Sequence, residues 1–497
     1  MSLTRASTLL RGTLWNLLGQ VLPVAAALVC VPRLVSGFGV DRFGVLSLAW
    51  MLIGYFTLFD LGIGGAVTRA VAERLATGDE DEVPGLVGTA LALTLVLGTV
   101  GALLLGGGSE WLAYDALRVP PALREETRDL FRMLALSLPI VTTTAAMAGT
   151  LAAQQRFDVL NAIRVPMGIY TYAAPLLVLP IARDLRWVAI VLVTGRIVAA
   201  IAHLVACFRV TPGLRRGRLP IRRHLVAPLL RFGGWMTVSA VVGPLMVYFD
   251  RFLIGAFLSM TMVAYYTTSY DLTSRVGILS APVVGVLFPA LASAWTSEPS
   301  RAGRLFVWGL RAVGVLLFPV CFVLATFAPD LLRWWLGDAF AQHGTAVLRL
   351  VAIGTFVNGL AQVALALVQA SGRPDLGARL HVLELPFYAL TLVTLLRSRG
   401  IEGAAIAWLA RVSLDALVLL TLAVRALPAS TTGLGAAATL GAGALAAMIV
   451  GATLPSSGMR AALAAVVLIA FVVTAWRLLA QPTRRALAEL GVPGTSA

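Results

Sequence analysis

Charged side chains lie inside several long apolar segments of this chain. Asp271 and Arg275 are four residues apart in one segment, and Arg411 and Asp415 are four apart in another. Residues with this spacing share one face of a helix. An uncompensated charge at a helix centre in a bilayer costs about 3 kcal/mol on insertion scales. Charges retained there usually line a water-filled cavity or a substrate path, so these residues predict a transport site.

Arginines form most of this candidate site. Arg196 interrupts another apolar segment, and the pair Asp250-Arg251 lies toward the outer end of a further one. The planar guanidinium suits two-point contact with phosphate, so we expect a cavity that favours an anionic, phosphorylated head group. The candidate substrate-binding residues are Arg251, Arg275, Arg196, Arg411, Asp250, Asp271 and Asp415.

Two acidic residues are candidates for coupling transport to a proton or cation. Asp60 has no arginine within one helical turn, and Glu384 lies close to His381 and Pro386. Intramembrane carboxyls are functional by default, but a satisfied structural carboxyl is an equal alternative for both. The intrahelical charge pairs have a similar alternative, in which each pair neutralises itself for folding and touches no substrate.

The composition is that of a polytopic membrane protein. Of 497 residues, 59% are hydrophobic and only 13% are charged, with a mean hydropathy of +0.88. Soluble domains carry about 25% charged residues. The net charge is +15, and every basic residue other than histidine is arginine. Arginines flanking apolar helices are orientation and lipid-headgroup signals, so we expect contact with membrane lipid and none with nucleic acid.

This sequence lacks the residues that several kinds of chemistry require. Without lysine, the chain contains neither a phosphate-binding Walker loop nor a Schiff-base nucleophile. Cys30, Cys207 and Cys321 are far apart, and no cluster of histidine, cysteine and aspartate predicts zinc. The loops are short, which argues against a membrane polymerase or acyltransferase. We therefore expect no metal, no cofactor and no enzyme activity.

About 14 apolar segments are long enough to cross a membrane as helices, which predicts an all-α fold. Two of these segments lie at about 45–69 and 262–290. An even number places both termini on one side. The basic linker Arg209–Arg223 separates the sixth and seventh helices and predicts that this side is cytoplasmic.

The two halves of the chain also match each other. Trp15 and Trp235 are 220 residues apart, and the motifs that begin at Arg156 and Arg373 are 217 apart. This offset predicts two pseudo-symmetric six-helix lobes, at 1–212 and 213–425, with a site between them. Residues 426–497 form helices 13 and 14 and a tail.

Short motifs resemble the bacterial polysaccharide (O-antigen or repeat-unit) exporter family, within the multidrug/oligosaccharidyl-lipid/polysaccharide (MOP) superfamily. The matching segments are Phe43–Leu48 with Phe59–Gly64, Gln154–Asp158, Tyr248–Gly255, Ala264–Leu272, Gly372–Asp375 and His381–Pro386. The resemblance covers about Leu14–Val424. Among the candidate residues, Asp250, Arg251, Asp271 and Arg275 match the family's cavity best.

The resemblance implies two lobes in a V shape around a cavity that opens alternately to each side. It implies an undecaprenyl-diphosphate-linked oligosaccharide as substrate, moved to the outer leaflet for cell-surface polysaccharide synthesis. It leaves open contacts with a polysaccharide polymerase and other envelope-assembly proteins. Three alternatives also stay open, namely a multidrug or cation antiporter of the same fold, a flippase for lipid-linked peptidoglycan precursor, and a non-transporting scaffold.

Overall fold

The fold is all-α in the part of the chain that the structure describes. A computed structural model describes residues 3–56, 59, 61–211, 214, 220–230 and 248–480, with side chains from residue 21 to residue 476 within these ranges. Helices and short connections make up these residues, and no strand occurs among them. Helices satisfy their own backbone hydrogen bonds, which a membrane core requires. The predicted fold class is confirmed.

The first compact unit is Met1–Ala264. Its core forms where α3, α4 and α6 pack against one another, and α1 packs along α7. Its helices are α1 (Leu3–Phe38), α2 (Val40–Tyr55), α3 (Ile63–Thr77), α4 (Val83–Trp111), α5 (Arg124–Leu136), α6 (Leu138–Ala153), α7 (Phe157–Val178), α8 (Leu185–Val210) and α9 (the described helical residues 248–257).

The second compact unit is Tyr265–Ala497. Its core lies between α11, α12, α14 and α15, and α16 packs against α12. Its helices are α10 (Met260–Ser274, which begins in the first unit), α11 (Ala281–Ser297), α12 (Pro299–Thr326), α13 (Ala328–Leu336), α14 (Asp338–Ala370), α15 (Pro374–Ala426), α16 (Leu434–Thr453) and α17 (Ser457–Ala480).

The boundary between the compact units lies 52 residues beyond the predicted lobe boundary (264 − 212). Two described residues between these positions, Gly255 and Met260, contact the first unit. The amide of Arg118 donates to the carbonyl of Gly255 at 2.8 Å, and a Cβ on Gly44 would lie 1.9 Å from the carbonyl oxygen of Met260. The predicted lobes follow a sequence repeat rather than contacts, so they stay a prediction.

The chain is a multi-pass membrane protein. Among the described residues, nine helices are long and apolar enough to cross a membrane, and a bent pair makes a tenth. Helix α15 is one of the nine, although its 53 residues turn at Gly400 and form two arms. Helices α2 and α3 are not among the nine, because each is too short by itself to cross a membrane. The predicted number of about 14 is consistent with these helices.

The segment predicted as one helix at 45–69 is interrupted. Its first part, α2, ends at Tyr55, and α3 begins at Ile63. Within the gap, Leu61 and Gly62 have φ values of 49° and 70°, which lie in the left-handed region and break an α-helix. The sequence pattern of apolar residues did not reveal this break, because hydrophobicity continues through it.

The segment predicted at 262–290 is interrupted at the matching place. A 3-10 turn at Arg275–Leu279 separates α10 from α11, and the two parts are bent by 40°. Arg275 and Phe56, the first residues after α10 and α2, are 219 positions apart (275 − 56). The sequence repeat is therefore accompanied by a repeated break, and interrupted helices in corresponding positions often mark transporter sites.

A short corner between α6 and α7 also recurs in the second half. Here Gln155 has a φ of 57°, and the amide of Arg156 donates to the carbonyl of Leu151 at 3.0 Å, which closes the end of α6. The Arg156 side chain makes two 3.0 Å hydrogen bonds to Asp158. These bonds hold the pKa of the Asp158 carboxyl below its ordinary value.

The equivalent corner lies between α14 and α15. Gly372 has a φ of 82°, and the amide of Arg373 donates to the carbonyl of Val368 at 3.2 Å. The Arg373 side chain donates to Asp375 at 3.3 Å. Both arginine-x-aspartate motifs thus stand directly after a left-handed residue and start the next helix, so matched sequence produces matched backbone geometry.

Glycine lets two helices of the first unit approach closely. A Cβ added to Gly149 on α6 would lie 2.3 Å from the carbonyl oxygen of Gly64 on α3. Beside this contact, Thr68 Oγ1 lies 3.0 Å from the Gly64 carbonyl oxygen and 3.1 Å from that of Gly149. Since both atoms in the close contact belong to backbone or would be fixed to it, no side chain can rotate away.

We expect Gly149→Ala to destabilise the first unit by about 1–3 kcal/mol, because overpacking forces the two helices apart. The measurement is the thermal unfolding midpoint of the purified protein in detergent. Gly107→Ala on α4 is the matched control, because nothing lies within 4 Å of its added Cβ. Equal midpoints for the two variants would show that this helix contact is not tight.

Candidate functional site

Asp271 and Arg275 lie at the interruption between α10 and α11. Asp271 is in the last turn of α10, and Arg275 is the first residue of the 3-10 turn. Both side chains are half-buried. A helix interruption supplies freed backbone groups as well as side chains, and inside a membrane such groups need protein or water partners. These two predicted residues therefore lie where the fold can offer several polar groups together.

Asp60 belongs to the corresponding interruption in the first unit, but it lies outside the described residues. Its neighbours Leu61 and Gly62 provide the left-handed backbone described above. The predicted ion-coupling role of Asp60 stays a prediction.

Asp250 and Arg251 form a closed ion pair on α9. Arg251 Nη1 lies 3.2 Å from Asp250 Oδ1, and the side chains are 3% and 0% exposed. The guanidinium carbon of Arg251 lies 5.2 Å from the centre of the Tyr248 ring, which packs edge-on against Tyr55. Burial and pairing together fix both side chains within the first unit.

Arg196 differs from this pair. It lies on α8 beside Gly195, where an added Cβ would lie 2.3 Å from the Tyr170 ring, so α7 and α8 approach closely here. Arg196 is half-buried, and no carboxylate pairs with it in the described part of the chain. A guanidinium in a membrane-length helix that lacks a fixed counter-ion is suited to an anionic ligand.

The two arms of α15 bring together residues that the sequence placed in separate predictions. His381 and Glu384 are on the first arm, and Arg411 and Asp415 are on the second. His381 Nε2 lies 3.6 Å from Asp415 Oδ1, which is an ion-pair distance when the ring is protonated. The Arg411 guanidinium lies 5.5 Å from the centre of the Tyr388 ring. We call these five residues the α15 cluster.

Sequence reasoning missed the pairing of His381 with Asp415 in this cluster. The spacing of three residues between His381 and Glu384 indicated a shared helix face, as did the spacing of four between Arg411 and Asp415. Nothing in the spacing indicated that the two faces oppose each other. That arrangement follows from the turn at Gly400, where φ is 61° and ψ is −144°.

A second ion pair was also missed. Arg460, near the start of α17, is 6% exposed, and its Nη2 lies 2.9 Å from Asp330 Oδ2 on α13. Arg349 on α14 interacts electrostatically with both residues. Helix α17, which the sequence left with α16 as an appendage, is thus connected to α13 by an ion pair between the buried Arg460 and the half-buried Asp330.

No group of three or more His, Cys, Asp or Glu residues in the described ranges could hold a metal ion. The groups that the structure does assemble are guanidiniums, carboxyls, an imidazole and aromatic rings. Guanidiniums bind anions through two-point hydrogen bonds, and buried carboxyls exchange protons.

Residues 32–345 match the model of a family described as "Polysaccharide biosynthesis protein". A Shigella flexneri protein named for O-antigen transport is 26% identical over 412 residues, which is 83% of this chain and 97% of that protein. A Bacillus subtilis membrane protein, EpsK, is 22% identical over 70% of this chain and 68% of its own length.

Solved structures share the fold. An inward-facing multidrug resistance MATE family transporter of the MOP superfamily has a TM-score of 0.67 at 14% identity, over 82% of this chain and 98% of its own. The lipid II flippase MurJ, in an inward closed conformation, has a TM-score of 0.67 at 12% identity, over 95% of this chain and 99% of its own. The family match spans well over half of the sequence, so this chain belongs to the polysaccharide biosynthesis protein family, and its fold is the one found in these two solved structures.

Proposed function

We propose that this protein is an alternating-access flippase for undecaprenyl-diphosphate-linked oligosaccharide. It moves the repeat unit from the cytoplasmic to the outer leaflet of a bacterial inner membrane, with both termini in the cytoplasm and without catalysing a covalent reaction. The observation that carries the proposal is Arg275 and Asp271 at the interruption of a membrane-length helix. Family membership and the relative named for O-antigen transport support the same substrate class.

Each of the two units contains arginines suited to bind the diphosphate. Arg196 is the strongest candidate, because the described residues supply it with no carboxylate. Arg275 is half-buried at the helix interruption, and Arg411 belongs to the α15 cluster. The polyprenyl tail stays in lipid while these guanidiniums replace part of the water around the phosphates. Asp271, four residues from Arg275, and Asp415, four residues from Arg411, each limit the net positive charge around that one arginine when no substrate is bound.

Asp250 and Arg251 play a structural part in this proposal. Their burial and mutual contact leave no room for a diphosphate, and removing one member leaves the other charge buried. Their role is to neutralise each other's charge where α9 is buried. Glu384 and Asp60 are the acidic groups that link transport to a proton or cation, and Glu384 already lies beside other charges in the α15 cluster.

A cation antiporter is the second candidate, favoured by the buried carboxyls of Glu384 and Asp415 and by the Tyr388 ring in the same α15 cluster. An aromatic and acidic site attracts organic cations. Drug susceptibility of a deletion strain separates the two functions, because an antiporter's loss increases susceptibility while a flippase's loss leaves lipid-linked glycan on the cytoplasmic side.

We expect Arg196→Gln and Arg275→Gln to lower transport at least about tenfold. Each removes a charge-assisted contact to phosphate, which is worth about 1.5–3 kcal/mol. The measurement is the amount of lipid-linked glycan retained on the cytoplasmic side, read by membrane-impermeant labelling of oriented vesicles. Arg399→Gln is the matched control, because Arg399 is exposed next to the turn at Gly400. A deletion strain with a normal pool of lipid-linked glycan would exclude the flippase.

For the buried pair, we expect Arg251→Gln to lower the free energy of unfolding by about 3–5 kcal/mol, since Asp250 stays behind as a buried charge. The double change Asp250→Asn with Arg251→Gln removes both charges and should recover much of this loss, together with transport. Thermal unfolding and labelling of the same preparations measure both effects. A stable double variant that does not transport would instead place Arg251 in the substrate site.

A further inference from the structure

The α15 cluster is held by a helical hairpin whose two arms pack closely. At Gly400 the backbone leaves the helical region, and a Cβ on Gly403 would lie 2.0 Å from the carbonyl oxygen of Leu395. The arms therefore meet at backbone distance near the turn. Side chains that face each other further along the arms have little freedom to separate, so the cluster is a property of the hairpin itself.

Two carboxyls of this cluster are buried together. Glu384 and Asp415 are each 4% exposed. Neither oxygen of Glu384 accepts a hydrogen bond from the described residues, and Arg411 Nε also lacks an acceptor there. A buried carboxylate without donors is costly, so this arrangement favours proton uptake or a ligand that reorganises the cluster.

Among the described residues, the charges that act on Glu384 are those of Asp415, Arg411 and His381, all on α15. Helix α14, which packs against α15, adds none among these residues. With both carboxyls ionised and the imidazole neutral, the cluster carries a net charge of −1 (−1 −1 +1). One proton makes it neutral, and a second proton makes it positive.

We propose that proton uptake by the Glu384–Asp415 pair and binding of the substrate's diphosphate at Arg411 are positively coupled. The inference rests on the proposed function and deepens it. Ionised carboxylates attract the Arg411 guanidinium and repel phosphate. A protonated pair does neither, so Arg411 becomes available to the anion. The bound anion in turn favours protons on the two carboxyls, because the coupling free energy is the same in both directions.

Whether proton uptake and diphosphate binding favour or oppose each other determines how a proton gradient affects transport. Exchange of protons for glycan requires that the two ligands oppose each other's binding, whereas in this cluster they favour each other. The α15 cluster by itself therefore does not exchange protons for glycan. It makes the affinity for diphosphate depend on the local pH, so an acidic outer side slows release and a neutral one favours it.

The test uses the purified full-length protein in lipid nanodiscs and an undecaprenyl-diphosphate-linked monosaccharide as the probe. The diphosphate of this probe is a diester and does not titrate near neutrality. We expect the affinity of the wild-type protein to rise as pH falls from about 8 to about 6, by up to about tenfold per pH unit for one coupled proton. Microscale thermophoresis measures the dissociation constant at each pH.

Variants of the α15 cluster test which side chains produce the pH dependence of binding. Glu384→Gln should bind tightly at the higher pH and lose most of the pH dependence, and Asp415→Asn serves the same purpose if the first variant misfolds. Arg411→Gln should bind weakly throughout. Glu402→Gln is the matched control, because Glu402 is an exposed residue on the same hairpin.

Affinity of the wild-type protein that does not change with pH, or an unchanged pH dependence in Glu384→Gln and Asp415→Asn, overturns the coupling. These outcomes leave the flippase function standing if the deletion strain still accumulates cytoplasmic lipid-linked glycan. A deletion strain that accumulates none removes the function, whatever the binding curves show.

Discussion

The cost of a charged side chain in hydrocarbon governs how this chain places its polar groups. Each intramembrane charge must pair with an opposite charge, contact water or bind a charged ligand, because the surrounding lipid does not stabilise it. The structure contains examples that differ in kind. The Asp250–Arg251 pair is closed and fully buried, whereas Arg196 has no carboxylate in the described part of the chain. A closed pair neutralises its own charges, and a single guanidinium keeps its capacity to bind an anion.

The internal repeat of the chain is a second constraint on the fold. Each half interrupts its second membrane-length segment at a matched position and ends its fourth with the same arginine-x-aspartate corner. An interruption costs backbone hydrogen bonds, which a membrane protein tolerates only where other groups replace them. Asp271 and Arg275 at one interruption therefore have a physical reason to lie there. Transporters need segments that can change conformation, and an interrupted helix bends at lower cost than a continuous one.

The α15 cluster combines both constraints. A hairpin turn forces two arms of one chain segment into contact, and their facing residues include two acids, a histidine and an arginine. Because Glu384 accepts no hydrogen bond from the described residues, the hydrogen-bond network of the cluster is incomplete among them. Its charge changes with each proton, which connects the state of the carboxyls to the affinity of a nearby guanidinium for phosphate.

The sequence by itself determined the class of protein, the internal offset and the family. These depend on composition and local pattern, which can be read without any tertiary contact. It also singled out the intramembrane charges as candidate site residues, and their roles stay predictions. Only the tertiary structure decided which of them meet. His381 contacts Asp415 because Gly400 reverses the chain, and Arg460 reaches Asp330 across 130 residues. Such contacts depend on the packing of distant helices, and the apolar pattern that predicts each helix carries no information about the rotation of its neighbour.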